Sequence, residues 1–158
     1  APVELDTLIL DTCETYEHMA RTKDIRLRPI LPAQTLPQCQ CDKERIRQAV
    51  NILLHNAISY TPAGGNIIVM LQYRREHGGQ SRFALSVSDS GPGVPEAEKE
   101  KIFDRFYRSE RSHHDKAHFG LGLAIAREII EAHHGTIQVT DAPGGGAVFT
   151  ISLPADHF

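Results

Sequence analysis

Asn56 and Asp89, together with two glycine pairs, Gly91/Gly93 and Gly120/Gly122, are the residues of this chain whose types and spacing could do chemistry. Phe83, Leu85 and Val87 alternate along a strand, and the same period carries Asp89 to the apolar side. A carboxylate that ends an apolar stripe needs a partner. In Asp89-Ser90-Gly91-Pro92-Gly93-Val94 the glycines let backbone approach a flat ring that side chains would hold off. Gly120 and Gly122 lead into helical spacing at Ile125, Ala126, Ile129, Ile130 and His133, so helix-start amides face whatever the loop encloses, a setting suited to phosphate. Between the two pairs runs a polar, charged segment too irregular to be core. The whole reads as a nucleotide cradle with a movable cover. Each glycine pair alone is also ordinary turn chemistry, so the reading leans on Asn56. An amide in mid-helix competes with the backbone. Asn56 is therefore either a buried amide bonded to neighbouring backbone or a ligand.

These residues must be positioned by the elements around them. Asp6 is expected to cap a first helix running to about Lys23, packed through Leu8, Ile9, Thr12, Cys13, Tyr16 and Met19. Ile25 to Ile30 alternates as a strand, and Leu31 to Cys41, with Pro32 and Pro37, reads as a loop. Asp42 caps a second helix with an apolar stripe at Ile46, Ala49, Val50, Leu53, Ala57 and Tyr60, ended by Pro62 and Gly64-Gly65. Asn66 to Gln72 and Ser81 to Ser88 form an antiparallel hairpin around the polar His77 to Gln80 tip. Pro95 to Lys101 is expected to be a short exposed helix. The last helix ends at His134 with Gly135 as its stop, and strands Thr136 to Thr140 and Ala147 to Leu153 flank Pro143-Gly144-Gly145-Gly146, with Phe149 and Ile151 facing inward.

At 158 residues and 41% hydrophobic, the chain is expected to form one soluble domain that closes a core without staples. The net charge of −3, with both signs interspersed, makes nucleic acid a poor partner. No apolar run is long enough to span a bilayer, and no signal peptide is expected at the start. Cys13, Cys39 and Cys41 are read as reduced cytosolic thiols, since Cys39-Gln40-Cys41 is too tight for an easy bridge. No Gly-Lys dipeptide occurs, which excludes a Walker A loop.

The order of asparagine helix, Asp-x-Gly-x-Gly, Phe-rich segment and Gly-x-Gly resembles the catalytic ATP-binding domain of sensor histidine kinases, of the GHKL superfamily. Arg47 to Pro62 resembles the N box, Asp89 to Val94 the G1 box, Ile102 to Arg108 the F box, Gly120 to Ala124 the G2 box and Gly144 to Phe149 the final glycine box. The resemblance covers essentially the whole chain. It implies an α+β fold, a two-layer α/β sandwich of the Bergerat type with a mixed, mostly antiparallel sheet packed on helices. Residues 1–158 would be a single domain, with an N-terminal helix over 1–23 and an ATP lid over 103–119. It also implies ATP and Mg²⁺ as cofactors. Asp89 would accept from the adenine amine, with Gly91 and Gly93 beside the base, and Tyr60 would line the pocket. Asn56 would give its amide oxygen to Mg²⁺. Backbone around Gly120, Leu121, Gly122 and Leu123 would hold the polyphosphate, and Arg108, with Arg105 as the weaker candidate, would reach the terminal phosphate, making Asn56 and Arg108 the catalytic pair.

Two positions depart from the family pattern: Ile52 stands where an asparagine is common and Ser59 where a basic residue is usual. Hydrolytic relatives such as gyrase need a carboxylate one turn before the Mg²⁺ asparagine, and Ile52, Ala49, Gln48 and Arg45 supply none. Phosphoryl transfer to an imidazole of another domain needs no such base. His18-Met19 lacks the acidic neighbour of a phosphoacceptor, so the acceptor is expected in a preceding dimerisation domain outside this sequence. His113-His114 and His133-His134 read as lid or surface residues. The implied partners are ATP, the kinase's own dimerisation domain and a response regulator; the fragment would be monomeric and the full protein a homodimer. The implied location is cytoplasmic, on a membrane-anchored protein. Two other readings are a catalytically silent nucleotide-binding module and a serine kinase of the anti-sigma type.

Overall fold

The computed structural model describes residues 1–75, 79, 81–107 and 121–155. Along the chain run β1 (Pro2–Val3), α1 (Leu5–Thr22), β2 (Arg26–Ile30), β3 (Cys39–Gln40), α2 (Lys43–Tyr60), β4 (Asn66–Arg74), β5 (Arg82–Asp89), two 3₁₀ turns (Glu96–Glu98 and Lys101–Phe103), α3 (Gly122–Ala132), β6 (Thr136–Asp141) and β7 (Ala147–Pro154). β1 and β3 pair with each other. The other five strands form one sheet in the order β2-β4-β5-β7-β6, parallel only between β2 and β4. This is the mixed, mostly antiparallel sheet packed on helices that the sequence led us to expect. A parallel pair needs a crossover, and α2 is part of it.

Alternation decides which face is covered. Register aligns Val69, Val87, Phe149 and Val139 in one row and Leu71, Leu85, Ile151 and Ile137 in the next. Of these only Ile137 is not fully buried. Their side chains meet Leu8, Ile9, Val50, Leu53, Ile129 and Ile130 from the helices in one core.

Asp42 caps α2 as expected, its Oδ1 accepting from the Arg45 N–H at 3.2 Å. At the other end Lys23 donates from Nζ to the carbonyls of Ile58 (2.7 Å) and Ser59 (3.0 Å), so a cation closes the negative end of the helix that carries Asn56.

Three local expectations are corrected. α1 begins at Leu5, with Glu4 as an N-cap that makes no side-chain bond; Asp6 lies inside the first turn, because starting earlier buries Leu5. Met19 is 44% exposed and not in the packed stripe. The Pro95 to Lys101 stretch forms no α-helix; two 3₁₀ turns bring Ile102 and Phe103 into the core, a tighter winding favoured in short pieces.

The end of α3 also differs. His134, not Gly135, takes the left-handed conformation (φ 61°), while the Gly135 N–H reaches Ile130 O at 2.9 Å and the His134 N–H reaches Glu131 O at 3.0 Å. That is a Schellman closure with an L-residue at the position glycine prefers. Gly135 is needed for space: a Cβ there would lie 2.3 Å from Ser152 O. His134→Gly is expected to raise stability by about 0.5–1 kcal/mol, read as a higher urea midpoint at unchanged slope, because it removes left-handed strain at some cost in unfolded-chain entropy.

The three cysteines are free and buried, in keeping with the reduced reading. Burial pushes the Cys13 thiol up to about 11. Among the described residues no helix is long and apolar enough to cross a membrane.

Candidate functional site

α2 presents Ile46, Ala49, Val50, Leu53 and Ala57 to the core, and Asn56 rides beside that stripe with only 7% of its surface exposed. Its Nδ2 has no hydrogen-bond partner among the described residues. A backbone partner for that nitrogen, as one of the two readings of this amide required, is not found among the described residues. Tyr60, half-buried, ends the helix, and Thr61 follows as C-cap with its N–H on Ala57 O.

Asp89 closes β5 on the core side, 4% exposed. Its Oδ1 accepts from the N–H of Gly91 at 2.9 Å and of Ala147 at 3.3 Å, whereas Oδ2 is buried and unpartnered among the described residues. One oxygen is thus committed to the fold and the other is left for something else. A buried acceptor without a partner costs on the order of 1–3 kcal/mol, which a ligand donor would recover.

The glycines account for how the parts meet. A Cβ on Gly91 would sit 2.6 Å from Tyr60 O, so the turn after Asp89 lies directly on the end of α2. A Cβ on Gly93 (φ 78°) would lie 3.3 Å from Gly146 O, and one on Gly146 would fall 1.9 Å from Asp89 O. Gly122 would place a Cβ 3.4 Å from Ile52 Cγ2, one turn before Asn56. α3 starts there, with Leu121 as N-cap making no side-chain bond and Leu123 packed on the core edge. Gly91 thus lies on Tyr60 and Gly122 on the turn of α2 before Asn56, while Gly93 and Asp89 meet at Gly146.

Arg105 is paired with Glu128 of α3 and its side chain is 59% exposed. Phe103, the first residue of the expected lid, is in the core, edge-on to Phe149 at 6.1 Å. Phe106 is 69% exposed at φ 65°, and Tyr107 donates its hydroxyl to Glu98 at 2.7 Å. Arg108, Gly120, the rest of the lid, His113-His114 and most of the His77 to Gln80 tip fall outside the described residues. The sequence reading missed the part played by Gly146 and the Ala147 amide, which hold Asp89 from β7. A run of three glycines in a strand turn was the available signal, since only two are needed to turn a chain.

Among the described residues no group of three or more His, Cys, Asp or Glu side chains converges on a metal position. A hard cation here would be held by the Asn56 amide oxygen and otherwise by phosphate oxygens and water, the last two being ligands that Mg²⁺ usually keeps.

A family model described as histidine kinase-, DNA gyrase B-, and HSP90-like ATPase matches residues 41–157. The chain belongs to this family. Adaptive-response sensory kinase SasA of Rippkaea orientalis is 37% identical over 150 residues, which are 95% of this ATPase-family chain and 37% of the kinase. The chain thus spans little more than a third of that relative. Among solved structures, the catalytic domain of histidine kinase ThkA superposes with a TM-score of 0.82 at 30% identity, covering 98% of this chain and 97% of that one. ThkA has also been solved in complex with the response regulator protein TrrA (TM-score 0.78, 28% identity, 99% and 42% covered). Full-length ShkA in complex with AMPPNP matches with a TM-score of 0.82 at 29% identity, over 99% of this chain and 31% of that one. Fold and family resemblance agree with the sequence reading.

Proposed function

We propose that this ATPase-family domain is the catalytic, ATP-binding part of a sensor histidine kinase, passing the γ-phosphoryl group of Mg-ATP to a histidine on a separate dimerisation domain for relay to a response regulator. The observation that carries this is the divided Asp89 carboxylate: Oδ1 held by two backbone amides, Oδ2 buried and unmet. Adenine offers an exocyclic amine to such an acceptor, and guanine offers a carbonyl, so the same atom supplies base selectivity. The close passage of Gly91 over Tyr60 O leaves no side chain to crowd the base there.

Asn56 would hold Mg²⁺ through its amide oxygen, and the cation when bound neutralises phosphate charge during transfer. Leu121, Gly122 and Leu123 would offer backbone amides to the polyphosphate, together with Gly120. Arg108 would stabilise the terminal phosphate, with Arg105 as alternate once released from Glu128. In the transfer, an imidazole nitrogen of the acceptor forms the new bond to phosphorus as the bond to the ADP oxygen breaks. The position one turn before Asn56, where hydrolytic relatives carry the carboxylate that activates water, holds Ile52, which lies beside Gly122. That favours transfer over hydrolysis. The AMPPNP complex of ShkA and the TrrA complex of ThkA support the nucleotide and regulator parts of the proposal by analogy.

Supplying a dimerisation domain in trans with γ-labelled ATP tests the reading: label on its histidine supports it, while tight nucleotide binding without transfer favours the silent module. Asn56→Ala is expected to weaken AMPPNP by about 10–100-fold in Mg²⁺ and to change little in EDTA, measured by calorimetry. Equal losses under both conditions would take the cation away from Asn56.

A further inference from the structure

The sheet has a second face, and among the described residues the helices pack on the other one. Its outward positions are Arg26, Arg28 and Ile30 on β2; Asn66, Ile68, Met70, Gln72 and Arg74 on β4; Arg82, Ala84, Ser86 and Ser88 on β5; and Val148, Thr150, Ser152 and Pro154 on β7, continued by Thr136, Gln138 and Thr140 on β6. Four of these are arginines and none is an aspartate or glutamate, in a chain whose net charge is −3. Such segregation is not what interspersed surface charge produces.

Among the described residues no carboxylate pairs with Arg26, Arg28, Arg74 or Arg82; the ion pairs lie on the helices, around the 3₁₀ turns and at Asp141, the last residue of β6. Arg74 and Arg82 stand directly opposite each other in the β4–β5 register, an unfavourable like-charge pairing. Two neutral neighbours hold them in place: Arg82 donates to Ser152 Oγ at 2.8 Å and Arg74 to Gln72 Oε1 at 3.0 Å. Beside them a groove of about 330 Å³ opens between the end of β2 and β4, lined by Ile30, Leu31, Pro32, Met70, Tyr73 and Arg74 among others. Ile68, half-buried, extends its apolar floor along the same face.

We infer that this face is a docking surface for an acidic protein segment, one that sets an apolar side chain into the Ile30–Met70 groove and carboxylates on Arg74, Arg82 and Arg28. Charge complementarity selects the partner's sign. The groove selects a peptide over a bilayer, because a concave slot receives a side chain and a flat leaflet does not fill it. No aromatic residue stands on the outward strand positions to stack bases, which disfavours single-stranded nucleic acid. The surface is separate from the nucleotide site: Arg82 opens the strand that Asp89 closes, and the two side chains point to opposite faces. The inference does not rest on the kinase reading.

The test is amide NMR on the ¹⁵N-labelled chain titrated with a blocked peptide of alternating glutamate and leucine, against its lysine counterpart, phosphatidylglycerol vesicles and a DNA oligonucleotide of equal charge. Shifts should concentrate on Ile30 to Gln34 and Ile68 to Arg74 for the glutamate peptide alone. Arg74→Glu/Arg82→Glu should weaken it at least tenfold and Arg74→Gln/Arg82→Gln by a smaller factor, with AMPPNP affinity within twofold of the parent. Shifts on other surfaces, unchanged peptide affinity in both double variants, or tighter binding of vesicles or DNA than of the peptide would each overturn the assignment.

Discussion

Asp89→Asn should lower affinity for ATP by about a hundredfold while shifting the melting temperature by only a few degrees. The two halves of that outcome follow from the two oxygens. In the variant the amide oxygen can continue to accept from the Gly91 and Ala147 N–H groups, so the backbone donors that Asp89 satisfies at 2.9 and 3.3 Å keep their partner. The amide nitrogen then replaces Oδ2 and turns an acceptor into a donor, which meets the adenine amine donor to donor. Loss of a hydrogen bond to a charged acceptor accounts for about 1.5–3 kcal/mol, and a hundredfold is about 2.7 kcal/mol. Asp89→Ala separates the roles from the other side: it strands two N–H groups in a buried turn and should destabilise the fold as well as binding. Calorimetry with AMPPNP beside thermal melts of the apo proteins gives both readings. If Asp89→Asn unfolds as readily as Asp89→Ala while binding nucleotide normally, Asp89 is a structural residue only.

Gly146→Ala is expected to destabilise the domain by about 3 kcal/mol or more and to abolish nucleotide binding with it. Its φ of 103° is outside the range that L-residues normally adopt, and the added Cβ would fall 1.9 Å from the Asp89 carbonyl oxygen. Neither atom can yield cheaply, because Asp89 is the last residue of a central strand and Gly146 directly precedes β7. Gly144→Ala in the same turn is the control: its φ is 82° but nothing lies within 4 Å of the added carbon, so only the conformational cost of about 1 kcal/mol should appear. Urea titrations of the two variants should therefore separate by about 2 kcal/mol, and equal losses would contradict the contact with Asp89.

Both residues belong to a site that was only partly legible in the amino-acid order. Asp89 could be read because period-two alternation in β5 is strict from Phe83 onward, and burial follows it residue by residue. Asn56 could be flagged because polar amides are uncommon beside a continuous helical stripe. Long periodic elements such as α2 and the β4–β5 hairpin were legible for the same reason. The 3₁₀ turns after Pro95 were not, since residues that wind at three per turn for only three positions leave no periodicity to detect. The start of α1 was misplaced because capping preference favoured Asp6 while burial of Leu5 set the boundary. The contact of Gly146 with Asp89 joins residues 57 apart in sequence, and no local pattern encodes such a separation. The arginines of the outer face escaped notice because interspersed charge in one dimension became a single-sign surface once alternate residues of several strands were brought side by side.

The Ala147 amide on Asp89 has a consequence for the order in which the molecule is made. Asp89 belongs to β5, but one of the two donors that fix its carboxylate lies 58 residues further along the chain, on β7. A nascent chain that has completed α2 and β5 owns Asn56 and Asp89 and still has no finished socket between them. If Asp89 holds the base as proposed, nucleotide capture waits for β7 to be made, and ATP could stabilise only polypeptides that extend past it.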